Sequence, residues 1–284
     1  MMSTARRSLG ATTIGNYALF GGGTVSSGST KIVDSFNSSL TRENTTALNT
    51  ARSNPKAITL NNTYAFFVGG NVGYDENYSN GSCSNITDIY TATKTLILPT
   101  ITLTTARKQH ALATIGNYVL VCGGRNSLTT LKTVETYNSS LTHSSTTDLG
   151  YAKFWLAATN VGDYALVGGG YTDTCMASVD AYNSSLTRSS PANLYHYRYL
   201  LSAGSIDNYA IFFCGNNSSY ADFYDKSLTH TYTNLNTKVG ISSLKYSVPL
   251  SFGNYILFAG GESGNESESE IYAFDSSLTL STVP

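Results

Sequence analysis

The sequence predicts an all-β protein, a six-bladed β-propeller with four antiparallel strands per blade. Three observations point there: a ten-residue phrase recurs along the chain, its spacing fits a unit of four short strands, and helical periodicity is missing. The phrase reads IGNYALFGGG at 14–23, IGNYVLVCGG at 115–124, VGDYALVGGG at 161–170 and FGNYILFAGG at 252–261, with degraded copies NNTYAFFVGG at 61–70 and IDNYAIFFCG at 206–215. Its tyrosines, Tyr17, Tyr64, Tyr118, Tyr164, Tyr209 and Tyr255, lie 47, 54, 46, 45 and 46 residues apart, so six units fill nearly all 284 residues. A period in this range marks a propeller, a solenoid or an array.

The elements of one unit are clearest in the fourth. Ala157-Ala158-Thr159-Asn160-Val161 is a short strand of mostly small residues. Gly162-Asp163 supplies a hairpin turn, where positive φ costs these residue types little. Tyr164-Ala165-Leu166-Val167 is an apolar strand running into glycines, and Ser178-Val179-Asp180-Ala181-Tyr182 alternates with period two. Asn183-Ser184-Ser185 makes a second turn, and Leu186-Thr187-Arg188 opens the fourth strand. Four strands repeated radially make propeller blades, with approximate limits 5–49, 50–104, 105–150, 151–195, 196–241 and 242–284 in a single domain. The chain enters on an innermost strand near Ser8–Ile14 and leaves on an outermost one near Leu278–Val283. Each blade is therefore expected to be contiguous, with the sixth packing on the first. The repeated tyrosines, mid-sheet on this reading, are expected in the core, where burying one removes roughly 150–250 Å² from water and stabilises by at most about 4–6 kcal/mol.

The order of a basic residue, an apolar strand, a Tyr-x-apolar strand ending in Gly-Gly, a loop and then V-D/E-x-Y resembles the kelch repeat over essentially the whole chain. The doublets Gly22-Gly23, Gly69-Gly70, Gly123-Gly124, Gly169-Gly170 and Gly260-Gly261 match, while Cys214-Gly215 departs from the pattern. Asn-Ser-Ser-Leu-Thr stands where the family's fourth strand carries a Trp. The near-identical, Ser/Thr/Asn-rich repeats are more similar to kelch-like proteins of bacteria and their phages than to animal kelch adaptors.

Composition narrows function by exclusion. Hydrophobic residues make up 41% and charged residues 12%, enough for a core and about half the usual charge. Seventeen Lys+Arg against eighteen Asp+Glu give a net charge of −1, which argues against a globally basic nucleic-acid binder. No signal peptide or membrane span is predicted, so a cytoplasmic or virion-associated location is expected. Cys83, Cys122, Cys175 and Cys214 lie far apart and read as free thiols. No cofactor is implied. The glycine doublets are not read as phosphate loops, because GxxxxGK[ST] is missing and a doublet recurs in nearly every unit.

Chain geometry separates two faces. The 1–2 and 3–4 turns hardly vary and read as scaffold. The 2–3 loops vary in length and content, TVSSGST at 24–30, NVGYDENYSNGSCSN at 71–85, NNSSY at 216–220 and ESGNESES at 262–269, and share a face with the 4–1 connections. Binding tends to live on variable loops carried by a rigid frame. That face collects Tyr74, Tyr78 and Tyr171 from 2–3 loops, and Tyr151, Phe154, Trp155, Tyr195, His196, Tyr197 and Tyr199 from 4–1 connections. Of these, Tyr74, Tyr78, Trp155, Tyr171, Tyr195 and Tyr197, with Arg198, are the expected ligand-binding residues, for a glycan or protein partner. Tyr offers large contact area at low entropy cost.

A basic residue precedes each innermost strand: Arg6, Arg52, Arg107, Lys153 and Arg198, with Leu244-Lys245 in unit six. Arg6, Arg52, Arg107 and Lys153 would rim a central channel. They would hold an anion there, or pair with the strand-three acids Asp34, Asp88, Glu135, Asp180, Asp222 and Glu270. Pairing is favoured, because both sets recur about once per unit.

Catalysis is disfavoured. An Arg cluster with tyrosines brings six-bladed sialidases to mind, but their S-x-D-x-G-x-T-W boxes are missing. Copper oxidases of kelch type need a Tyr/His/Cys metal site, and the four histidines fall in different units. His110 reads as a packed core residue, and His143 and His230 as surface turn residues. The run Glu262, Glu266, Glu268 and Glu270 reads as exposed charge rather than a calcium site. The alternatives to a binding module are a structural component of a phage or prophage particle and a hydrolase of acidic sugars.

Overall fold

Each copy of the recurring phrase is half of a β-hairpin, because turn-forming residues separate two extended runs. The computed structural model describes residues 1–73, 82–216, 218–264 and 266–283. In it Ile14 pairs with Tyr17, Ile115 with Tyr118, Val161 with Tyr164, Ile206 with Tyr209 and Phe252 with Tyr255, leaving two-residue turns. In the second blade Leu60 pairs with Tyr64 across a longer turn.

Six four-stranded antiparallel sheets result, the blades of an all-β propeller. They comprise Gly10–Ile14, Tyr17–Gly21, Val33–Asn37 and Arg42–Glu43; Lys56–Leu60, Tyr64–Val68, Ile86–Thr91 and Ile101–Thr102; Ala111–Ile115, Tyr118–Cys122, Val134–Asn138 and His143–Thr146. The remaining three are Ala157–Val161, Tyr164–Gly168, Val179–Asn183 and Arg188–Ser189; Ser202–Ile206, Tyr209–Phe213, Tyr220–Asp225 and His230–Asn234; and Val248–Phe252, Tyr255–Ser263, Glu266–Asp275 and Leu280–Val283. In every sheet the strands neighbour one another in chain order, so each blade is one contiguous segment.

The blades form two compact units, Met1–Leu131 with Glu135–Ser145, and Lys132–Val134 with Thr146–Pro284. Inside each, both faces of a sheet are buried. In the first unit Phe67 joins Ile14, Leu19 and Val33 of the first blade, while its neighbour Phe66 joins Val119, Val121 and Tyr137 of the third. In the second unit Phe212 packs with Leu166 and Ala181 of the fourth blade, while Ile211 and Phe213 pack with Ile256, Phe258 and Phe274 of the sixth. Two-sided burial explains why the second strands read as continuous apolar runs.

The repeated tyrosines differ from expectation. Tyr17, Tyr64, Tyr118, Tyr164 and Tyr209 are half-buried and Tyr255 is exposed, because the register puts each at the end of its sheet beside the turn. The fully buried tyrosines are Tyr90, Tyr137, Tyr182 and Tyr224, each two residues after the strand-three acid. Three of these donate their hydroxyl to a backbone carbonyl upstream, on Thr46, Thr147 and Ala192.

The glycine doublet marks a backbone crossing. A Cβ on Gly22 would lie 2.6 Å from the carbonyl oxygen of Arg52 in the next blade, and one on Gly23 would lie 2.7 Å from that of Arg7 in its own. The Gly23 N–H donates to the Arg52 carbonyl at 2.9 Å.

The Asn-Ser-Ser-Leu-Thr turns are held by their first side chain. Asn183 Oδ1 accepts from the Ser185 and Thr187 N–H groups at 3.0 and 2.9 Å, and Asn37, Asn138, Asp225 and Asp275 repeat the arrangement. Leu186 therefore belongs to the turn, at φ 60°, and does not open the fourth strand, which begins at Arg188. The run at 262–269 is likewise not an irregular loop: Glu262 pairs with Ser267 and Ser263 with Glu266, extending the hairpin of the sixth blade.

Candidate functional site

The basic residues before the first strands are buried and ion-paired. Arg6 meets Asp34 at 2.6 Å, Arg52 meets Asp88 at 2.7 Å, Lys153 meets Asp180 at 3.0 Å and Arg198 meets Asp222 at 2.6 Å, and Arg107 pairs with Glu135; all five basic side chains have 0% exposure. Four of these acids take a second partner from the fourth strand, eight residues on: Arg42 on Asp34, His143 on Glu135, Arg188 on Asp180 and His230 on Asp222. His143 and His230 are therefore not free surface turn residues, since each places Nε2 on a buried carboxylate, at 2.7 and 2.6 Å.

Burial would raise the carboxyl pKa of Asp222, but His230, Arg198 and the Tyr195 N–H hold it below the usual range. Glu135 and Asp34 are held low in the same way, by Arg107 with Thr104 and by Arg6 with Ser3. Burial in turn pushes the Arg52 and Arg107 guanidiniums down, against their acids.

The sixth blade replaces this pair outright. By strand register Tyr272 opposes Phe258 as Asp222 opposes Phe212, so Tyr272, not Glu270, takes the acid's place. Leu244 stands where the basic residue would. Both are buried in one apolar cluster, and Glu270 accepts from the Tyr272 hydroxyl at 2.6 Å. Lys245, one residue on, pairs with Glu262 at 2.8 Å.

Two residues after each basic position the backbone turns left-handed, in Ser8, Asn54, Gln109, Trp155, Leu200 and Tyr246, with φ between 51° and 62°. In the second unit the Leu200 N–H donates to the Trp155 carbonyl and the Tyr246 N–H to the Leu200 carbonyl. In the first the Asn54 N–H donates to the Ser8 carbonyl. His110 follows Gln109 and is fully buried, where other blades carry Leu9, Leu156 and Leu201. Burial, with Arg107 and Lys56 nearby, pushes its imidazole pKa far down, so it is neutral.

The variable face of the fourth and fifth blades carries two aromatic groups. In the first, Trp155 stacks on Tyr199 at 5.4 Å, with Tyr171 at 5.1 Å from Tyr199 and Phe154 at 4.7 Å from Trp155. Trp155 reaches there from its left-handed backbone position, and Tyr171 through the bridge between Phe154 and Tyr171. In the second, Tyr195 stacks on Tyr232 at 3.7 Å and touches Tyr220 at 4.7 Å, and His196 stacks on Tyr197 at 4.4 Å. Tyr195, Tyr197 and Tyr232 are 49%, 53% and 48% exposed. The Tyr232 phenol pKa is pushed up, chiefly by its hydrogen bond with Tyr195.

Trp155 and Tyr171 thus come together, while Tyr195 and Tyr197 are linked through Tyr220 and His196. The Arg198 side chain lies beneath them with no exposed area, spent on Asp222 and the Phe212 carbonyl. Tyr74 and Tyr78 lie outside the described residues. Tyr220 and Tyr232 were not singled out from sequence. Tyr232 stands two residues after His230 on the fourth strand, a spacing that puts both on one face.

The family model described as Kelch motif matches residues 106–144, the third blade. No curated protein matches the chain in sequence. Among solved structures, "Structure of YjhT" is similar with a TM-score of 0.70 at 13% identity, covering 99% of this chain and 98% of that one. At that identity the likeness is one of fold. No helix among the described residues is long and apolar enough to cross a membrane.

Proposed function

We propose that this six-bladed β-propeller, whose third blade matches the Kelch motif, is a non-catalytic binding module that recognises a glycan or protein ligand through the face formed by the 2–3 loops and 4–1 connections. One observation carries this reading: Tyr195, Tyr197 and Tyr232 stand about half exposed in a single group of ring contacts. Leaving such rings in water costs the hydrophobic gain of burying them, and clustered exposed aromatics mark interaction sites. The chemistry a sialidase-like hydrolase would need is committed elsewhere, since Arg107 and Arg198 are buried against Glu135 and Asp222.

The test is a glycan and peptide binding screen on the purified full chain, followed by Tyr197→Ala and Trp155→Ala. Each substitution is expected to weaken binding about tenfold or more. Thermal unfolding of Tyr197→Ala should stay within about 2 °C of the parent, as expected for an exposed side chain. Ligand binding untouched by both substitutions moves the site elsewhere, and a screen without hits favours a structural role in an assembly.

A further inference from the structure

We infer that the ligand of this face is a neutral, linear oligosaccharide lying across both aromatic groups, with Tyr220 and Tyr232 as binding residues at its outer end. This rests on the reading that the face binds a ligand, and adds its chemical class and its path. The five residues 195–199 join the two groups: Tyr195 touches Tyr220 and Tyr232, Tyr197 carries the stacked His196, and Tyr199 touches Trp155 and Tyr171. Four peptide steps span at most about 14 Å, so the groups are separated by no more than a short run of sugar rings.

Charge selects among ligands. Each cation here is ion-paired: Arg198 and His230 contact Asp222, while Lys153 and Arg188 share the single carboxylate of Asp180, an excess of one positive charge that the exposed Asp173 matches in number. Lys245, close enough to influence the Tyr199 phenol, is paired with Glu262. In the loop at 171–178 the one charged side chain is Asp173, exposed and negative. An acidic sugar or acidic peptide would meet repulsion there and no unpaired cation among these groups. A basic peptide would meet only that one acid.

The rings suit a sugar in a further way. A pyranose has an apolar C–H face that stacks on an aromatic plane and a hydroxyl edge that hydrogen-bonds. Tyrosine provides both a plane and a phenol at the rim. Tyr195 and Tyr232 stack face to face with their planes 20° apart, so the pair offers a sugar its outer ring faces. Trp155 and Tyr199 are 22° apart. Two platforms joined in this way favour a chain over a single sugar, because the second contact is made intramolecularly.

The experiment titrates the full chain with cellohexaose, maltohexaose, laminarihexaose and mannohexaose, with the matching disaccharides, and with hexagalacturonate as the acidic counterpart. Trp155 is the single tryptophan, so its fluorescence reads the inner platform directly, beside calorimetry. At least one neutral hexaose should bind, change Trp155 emission and exceed its disaccharide in affinity at least tenfold. Tyr232→Ala and Tyr220→Ala, at the outer platform, should each lower that affinity at least fivefold while the free protein keeps its emission spectrum. No binding by any neutral hexaose, tighter binding of hexagalacturonate, equal affinity for disaccharide and hexaose, or indifference to both outer substitutions overturns the inference. A peptide hit lost on Tyr197→Ala would overturn it too, yet leave the binding face standing. If neither peptides nor glycans bind, both readings fail.

Discussion

At the scale of single residues, the buried ion pairs can be judged against a replacement the protein already contains. Removing one partner leaves an uncompensated buried charge, which costs about 3–5 kcal/mol, whereas exchanging both for apolar groups is often neutral. Leu244 and Tyr272 are such an exchange, made jointly in the sixth blade. The second blade is the cleanest place to copy it, because Asp88 has no fourth-strand cation: Leu96 stands eight residues on. Asp88→Ala is expected to lose about 3–5 kcal/mol in urea unfolding. Arg52→Leu with Asp88→Tyr is expected to come within about 2 kcal/mol of the parent. A double variant as unstable as the single would show that the pair contributes something an apolar pair does not. The pairing itself was legible because basic and acidic positions recur together. The exchange was hidden because Glu270 lies two residues from the position Tyr272 holds, and only strand register tells them apart.

At the scale of elements, two glycines with similar φ have different reasons to be glycine. Gly22 sits at φ 68° with the Arg52 carbonyl 2.6 Å from where a Cβ would stand, while Gly253, in a 1–2 turn at φ 56°, has nothing within 4 Å. Left-handed backbone alone costs a non-glycine residue roughly 1–2 kcal/mol. Gly253→Ala should lose about 1 kcal/mol. Gly22→Ala, which must also push two blades apart, should lose at least about 3 kcal/mol in the same urea titration. Equal losses would mean that the doublet answers to φ alone. The hairpins and their turns were readable from glycine and asparagine placement. The leucine of each Asn-Ser-Ser-Leu-Thr turn was not, because its left-handed conformation is imposed by two hydrogen bonds to the asparagine side chain and contradicts leucine's own preference.

At the scale of the whole molecule, titration sums these local effects. Asp34, Glu135 and Asp222 have folded pKa values below their unfolded ones, so their contribution is present above about pH 4 and is lost as pH falls through the folded values. His110 acts earlier. Its folded pKa is depressed, so the unfolded chain takes up a proton first, and stability falls as pH drops below about 6.5. Melting temperatures should therefore decline gently below pH 6.5 and steeply below pH 4. His110→Leu, the residue type used at this place in three other blades, should flatten the first decline and leave the second. A His110→Leu curve parallel to the parent's from pH 7.5 to pH 5 would show that the imidazole is protonated inside the fold. The propeller architecture was legible at this scale because a 45-residue period leaves few other folds. The aromatic site was only partly so: Trp155, Tyr171, Tyr195 and Tyr197 stood out in loops, but Tyr220 and Tyr232 arrive by strand pairing.

The left-handed residue before each first strand has a practical corollary. Its six occupants are Ser, Asn, Gln, Trp, Leu and Tyr, as different as six side chains can be, on backbones whose φ angles agree within 11°. For Leu200 both the amide and the carbonyl are committed to neighbouring blades, so the main chain there is satisfied whatever the substituent. Side-chain identity thus varies freely at this position across the blades, and on the proposed binding role a library varied at Trp155 and Leu200 is a route to new specificities without redesigning the frame.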